Sequence, residues 1–185
     1  MIDDVLLTAE VKMTKATEVL GRDLAGLRTG RASPALVENI RADYYGTPTP
    51  LNQMAGISAP DVRMLIIQPW DKQAIPIIEK ALQKSELGLN PSSDGTVIRL
   101  NIPPLTEERR KDLVKLVKKR VEEGRIAIRN VRREALEKLR EMQKEKEISE
   151  DEEKRAEKDL QELTDRFVEN VGELGQAKEK EVLES

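Results

Sequence analysis

Apolar residues recur every three or four positions between Val5 and Leu27, at Leu6, Ala9, Met13, Ala16, Leu20, Leu24 and Leu27. That spacing predicts an amphipathic helix, with Asp3 or Asp4 placed to cap its start. The period returns after Pro103-Pro104-Leu105, where Thr106 is the expected N-cap and Glu107 and Glu108 sit at the positive end of the helix dipole. The seam of this second helix reads Leu113, Val117, Val121, Ile128, Val131, Ala135, Leu139 and Met142, with Gly124 filling one seam position. It predicts a helix reaching Lys146, about 40 residues and roughly 60 Å long. Ser149 and Glu152 have the spacing of a capping box, so a third helix starts there after a tight reversal. Its seam is Ala156, Leu160, Leu163, Phe167, Val171 and Leu174. Gly172 and Gly175 each weaken a helix interior by roughly 1 kcal/mol against Ala, which predicts fraying in the last turns. None of the three helices can bury its stripe alone, so together they should form a bundle.

Between residues 32 and 104 the helical period disappears and Pro and Gly become frequent. Leu36 to Tyr45, Val62 to Gln68 and Thr96 to Ile102 read as strands, rich in branched or aromatic residues and bounded by turn formers. Ile75 to Ser85 reads as a helix, with Pro76 in its first turn and Gly88 just beyond its end. The expected class is therefore α+β: a three-helix bundle from residues 1–30 and 105–185, and an inserted β/α/β domain from 31–104. Two crossings join the modules. Thr29 and Gly30 lie in one and Pro103 and Pro104 in the other, so freedom on one side and restriction on the other predict a hinge with a preferred direction.

Composition narrows the chemistry. With no Cys and no His among 185 residues, zinc sites, thiol nucleophiles and imidazole acid/base catalysis are excluded. No cofactor or metal site is expected. The Glu150 to Glu153 run lacks the arrangement of a calcium loop, and acids in a first helical turn have a dipole reason to be there. Gly21 and Gly26 have phosphate-loop spacing, but Leu27-Arg28 follows instead of Lys-Ser/Thr. Tyr44 and Tyr45 are better read as strand packing than as base-stacking residues. No apolar run approaches the roughly 20 residues of a membrane span, and the amino terminus lacks a basic signal region, so a cytoplasmic protein is expected.

The net charge of -3 conceals a polarised chain. Residues 105–133 carry 11 basic and 5 acidic groups, whereas 134–185 carry 10 and 18. Four arginines of the second helix, Arg125, Arg129, Arg132 and Arg133, project from one face at helical spacing, roughly 120° from the seam and in line with Lys111 and Lys118. Arginine's planar fork matches phosphate oxygens and is weakly hydrated, so this comb suits a nucleic-acid backbone. The competing reading is a solvated face paired with Glu122 or the acidic third helix. Arg28 and Arg31 would extend the basic surface toward the hinge. On the residues alone, a helical scaffold that binds acidic proteins through the comb stays open, as does a hydrolase using only carboxylates.

Several motifs run through the chain in order: RTGRASP (28–34), YYGTPTPL (44–51), LGLNPSSDG (87–95), PPLTEERRKDLVKLVK (103–118), RNVRREA (129–135) and KEISEDEEKRAEKDLQELTD (146–165). Together they closely resemble bacterial ribosome recycling factors over essentially the whole length. The resemblance implies an elongated three-helix bundle and a small β/α/β domain in an L-shaped two-domain molecule of roughly transfer-RNA outline. It also implies a function that is not enzymatic. After termination, such a factor binds the large ribosomal subunit and, with elongation factor G and GTP, splits the post-termination complex so that messenger and transfer RNA are released. A monomer without membrane association is expected. Carried onto this sequence, Arg132 is the first candidate for contact with ribosomal RNA, with Arg129 and Arg133 beside it and Arg28 and Arg31 at the hinge end. Arg125 rests on helical geometry. The match loosens after Leu174.

Overall fold

In chain order, the elements are α1 (Ile2–Ala25), β1 (Arg41–Tyr44), β2 (Thr47–Pro50), β3 (Ala55–Asp61), β4 (Met64–Pro69), α2 (Ile75–Lys84), β5 (Pro91–Ser93), β6 (Ile98–Asn101), α3 (Glu107–Lys144) and α4 (Glu150–Glu184). The computed structural model describes residues 1–184 apart from Glu86 and Gly88, so the helix stop expected at Gly88 lies outside the described residues. Two compact units emerge: residues 1–24 with 114–180, and residues 25–113 with those from Glu181 onward.

The first unit is made by α1, α3 and α4. Asp3 and Asp4 fall in the first turn of α1 rather than at its cap, where they still meet the positive end of the dipole. Met13, Val117, Ile128, Leu139 and Val171 are completely buried, which confirms the predicted stripes as the packing faces. On α4, however, the buried line runs through Ala156, Leu160, Thr164, Phe167, Val171, Gly175 and Lys178, while Leu163 and Leu174 are only half-buried. Thr164 is accommodated because its hydroxyl donates to the Leu160 carbonyl at 2.8 Å and so is not left unpaired.

The expected fraying does not occur: α4 continues through both glycines to Glu184. The reason is close packing. A methyl group on Gly175 would come within 2.5 Å of Val121 Cγ2, and one on Gly124 within 3.2 Å of Leu20 Cδ2 and 3.5 Å of Val171 Cγ1. These glycines let the helices approach, and the dispersion gained offsets their poor helix propensity.

The reversal between α3 and α4 is built by two local motifs. Lys146 takes a left-handed conformation (φ 62°), its N–H donating to Gln143 O and that of Glu147 to Met142 O, both at 2.9 Å. This pattern closes a helix C-terminus. Two residues later the capping box forms as expected: Glu152 N donates to Ser149 Oγ and Ser149 N to Glu152 Oε1, each at 3.1 Å. The backbone N–H of Ser149, followed by its hydroxyl, lowers the Glu152 pKa below its ordinary value.

In the second unit, β3, β4, β6 and β5 form an antiparallel sheet in that order, and β1 pairs with β2 in a separate hairpin. Leu65 and Ile67 of β4, Ile98 and Leu100 of β6, and Ile78 and Leu82 of α2 form a fully buried core. Three strands were expected where six occur among the described residues. Leu36–Ile40 is not strand: Pro34–Leu36 forms a short 3-10 turn, while Val62 lies in the turn between β3 and β4. The strands not foreseen, β2, β3 and β5, all lie at edges and contain Pro48 and Pro50, Pro60, and Pro91. Proline is tolerated where one side of a strand needs no partner, and it erases the sequence pattern of a strand. The β1–β2 hairpin closes through Tyr45 (φ 50°) and Gly46 (φ 82°), both left-handed as its two-residue turn requires.

Both crossings are tied to the β3–β4 turn. Ala32 N donates to Val62 O at 2.6 Å, and Ile102 N to Arg63 O at 2.7 Å. The β5–β6 turn is held by Asp94, whose Oδ1 accepts from Thr96 N and Val97 N at 2.9 and 3.0 Å and whose Oδ2 meets Arg99 at 3.0 Å. The Val97 and Thr96 amides, with Arg99 assisting, lower its pKa below the ordinary 3.8.

Two predictions test these details. Gly175→Ala should lose about 1 kcal/mol or more, because crowding of the stiff Val121 exceeds the helix-propensity gain. Gly172→Ala, whose new methyl would meet only Arg125 Nη2 at 3.5 Å, should gain up to about 1 kcal/mol. Urea midpoints of the two variants should therefore move in opposite directions. For Asp94, a depressed folded pKa means a stabilisation fully present above the unfolded aspartate pKa and lost as pH falls through the lower folded value. Asp94→Asn keeps the turn acceptor but cannot titrate, so its stability curve should fall less steeply below about pH 4 than that of the unaltered chain.

Candidate nucleic-acid interface

All four arginines of the comb lie in the first unit, on the continuous middle of α3. The helix holds them on neighbouring turns, but they do not form one uniform exposed row. Arg129 and Arg133 are exposed, whereas Arg125 and Arg132 are half-buried along the edge facing α4. Arg125 reaches over Gly172 of α4, its Nη2 at ordinary contact distance, 3.5 Å, from where a methyl there would sit. Arg132 Nη1 donates to Gln161 Oε1 of α4 at 3.3 Å. The comb was expected to stand well clear of the seam. Its inner pair rests on α4 because long arginine stems bury their methylenes along a neighbour while keeping the charged head wet.

The pairing with Glu122 that belonged to the competing reading does occur. Its carboxylate lies 3.5 Å from Arg125 Nη1 and 3.6 Å from Arg129 Nη1. Exposed pairs of this kind contribute about 0–1 kcal/mol and are weakened by salt. One carboxylate shared by two guanidiniums leaves the four-arginine set with three positive charges in excess. Arg133 has no ion-pair partner among the described residues, and Arg132 is held by a neutral amide. Three of the four arginines are therefore held by neighbours, and the face is not neutralised.

Sequence reasoning missed the partners on α4. Gln161 Nε2 donates to Asp165 Oδ1 at 2.8 Å, so Asp165, Gln161 and Arg132 form a hydrogen-bonded series. The four-residue spacing of Gln161 and Asp165 was visible, but which face of α4 would meet α3 was not. Ile126 and Asn130, both exposed, share the outer face with Arg129 and Arg133 and were also passed over.

The remaining candidates lie in the second unit. α1 ends at Ala25, so Arg28 and Arg31 belong to the first crossing rather than to the helix end. Arg28 is half-buried, with its Nε lacking a hydrogen-bond partner, whereas Arg31 is exposed at a shallow cleft with Ala32, Ala59, Pro60, Asp61 and Val62. Among the hinge candidates, Thr29 is buried and its hydroxyl donates to Glu181 Oε1 at 3.0 Å, while Gly30 adopts φ 79°, a conformation suited to glycine. Pro103 and Pro104 are exposed between Ile102 and Leu105, which are both buried.

Residues 20–183 match the family model for ribosome recycling factor. The chain belongs to the ribosome recycling factor family. A ribosome-recycling factor of Thermomicrobium roseum is 55% identical over 184 residues, and one of Roseiflexus sp. is 58% identical over 184 residues, each covering 100% of both chains. The solution structure of a ribosome recycling factor is similar with a TM-score of 0.80 and 48% identity, over 100% of this chain and 98% of that one. A second similar structure is a T. thermophilus ribosome recycling factor, described together with E. coli elongation factor G bound to the E. coli post-termination complex. Its TM-score is 0.71 at 52% identity, with 99% of each chain covered. Members of this family are translation factors. Among the described residues, no helix is long and apolar enough to cross a membrane.

If Glu122 restrains and partly neutralises the comb, Glu122→Gln should strengthen binding to a polyanion. Heparin chromatography checks this. The variant should elute at higher salt than the unaltered chain.

Proposed function

We propose that this chain recycles ribosomes by holding the large subunit through the arginine face of α3, while elongation factor G and GTP drive separation of the post-termination complex. Messenger and transfer RNA are then released. The observation that carries the assignment of the gripping surface is the under-neutralised face itself. Arg129 and Arg133 are exposed, Arg125 and Arg132 are braced on α4, and among the described residues the only carboxylate paired with the set is shared between two of them. Ribosomal RNA phosphates are the natural acceptors for such an array. Arg31 and Arg28 add positive charge in the second unit.

In this reading the chain is a cytoplasmic binding factor and not an enzyme, and elongation factor G hydrolyses the GTP. The small domain has its own buried core, so it can move as a body with that core intact. Thr29, Gly30, Pro103 and Pro104 are the residues we assign to the hinge.

Light scattering of post-termination ribosomes mixed with this chain, elongation factor G and GTP should show subunit dissociation, and a signal no greater than that without the chain would overturn the reading. Arg132→Glu should weaken cosedimentation with large subunits by about tenfold or more, because a charge-assisted hydrogen bond is replaced by repulsion. The urea midpoint should stay near that of the unaltered chain. Binding of the unaltered chain should weaken as salt rises, with a slope set by the number of phosphates contacted.

A further inference from the structure

Gln161 stands between two groups of opposite and unambiguous hydrogen-bonding character. The Asp165 carboxylate, when ionised, can only accept, and the Arg132 guanidinium can only donate. An amide has both a donor and an acceptor, and just one of its two orientations satisfies both neighbours. In that orientation Nε2 faces Asp165 at 2.8 Å and Oε1 faces Arg132 at 3.3 Å. The flipped amide would set Nε2–H against guanidinium N–H and its oxygen against a carboxylate.

We infer that Asp165 is a positioning residue for RNA binding: it fixes the Gln161 amide so that its carbonyl oxygen holds Arg132 in place without neutralising it. Three details support this division of labour. Asp165 lies one turn beyond Gln161 on the same helix, so α4 itself sets their separation. Arg132 is half-buried against α4, so its stem is already confined and one further bond suffices to aim the guanidinium. A glutamate would be the common residue on this acid-rich helix, yet the position facing Arg132 is an uncharged glutamine. A carboxylate there would compete with phosphate for the same guanidinium; an amide oxygen orients the group and leaves its charge for RNA. The other inner arginine, Arg125, is instead paired with Glu122.

This inference rests on the proposed use of Arg132 to contact ribosomal RNA, and the test separates the two. Equilibrium binding to purified large subunits would be measured for Arg132→Ala, Asp165→Leu, Asp165→Glu, Gln161→Glu and the Arg132→Ala/Asp165→Leu pair, with urea midpoints checking the fold. Removing a negative charge near an RNA-binding face should, by charge alone, tighten binding. Positioning predicts the opposite sign: Asp165→Leu weakens binding about three- to fivefold. Asp165→Glu, which restores the acceptor, should recover most of the loss. Gln161→Glu should weaken binding and make it less sensitive to salt, because one phosphate-seeking charge is neutralised in the free protein. In the Arg132→Ala background, Asp165→Leu should no longer weaken binding. If Arg132→Ala leaves affinity unchanged, the assignment of Arg132 to RNA fails and this inference falls with it. If Arg132→Ala weakens binding while Asp165→Leu tightens it or has no effect, or weakens it equally without Arg132, the positioning role alone is overturned.

Discussion

The close approach of α3 and α4 is the constraint on which the basic face depends. It is made possible by the absence of side chains: Gly175 lies so near Val121 that a methyl there would collide, and Gly124 is closed in by Leu20 and Val171. A helix pair held further apart could bury similar side chains, but it would not bring α4 within hydrogen-bonding reach of arginines on the flank of α3. The contact of Arg125 over Gly172 and that of Arg132 with Gln161 follow from the same packing. The seam therefore stabilises the first unit and also determines which arginines are braced.

Much of this was legible in the sequence, for a physical reason. Long helices repeat the same packing problem at every turn, so the stripes that run through Leu24, Leu139 and Val171 stand out from one chain alone, although their predicted last members Leu27, Met142 and Leu174 are only half-buried. The reversal was equally readable, because Ser149 and Glu152 act on backbone groups three residues away and need no tertiary partner. What failed was local arithmetic without its neighbours. Gly175 looked like a weakness because propensity counts only what glycine costs its own helix. Thr164 and Lys178 were absent from the predicted seam because an apolar pattern skips polar residues that are buried with their hydrogen bonds satisfied or their stems covered.

The small domain shows the complementary limit. Its central strands β4 and β6 carry alternating buried aliphatics and were found, whereas the edge strands β2, β3 and β5 contain proline and are largely exposed. An edge strand is recognised by the partner it pairs with more than by its own residues, and pairing is non-local. The same holds for the functional face. Which arginines share a side of α3 follows from helix geometry, but whether they pair, lean or stand free depends on α4.

That neighbour resolves an apparent conflict in charge. An acidic protein of this size should be repelled by RNA, and the most acidic part of this chain lies on the helix packed beside the arginines. Repulsion decays over a Debye length of about 8 Å at physiological salt, so the average charge of the molecule matters less than the groups directly against a phosphate. At that short range the part of α4 beside the comb's inner pair is not acidic: it presents Gly172 to Arg125 and the amide of Gln161 to Arg132, whereas Glu157 meets α3 only further along, at Arg140. Asp165 turns its carboxylate oxygen to Gln161 rather than to the guanidinium. Segregating the signs along the sequence would not by itself create a phosphate-binding face, since the helices fold against one another. A neutral stretch of border beside the comb preserves the separation there after packing and lets the excess acid act at longer range, where it favours solubility without competing for these arginines.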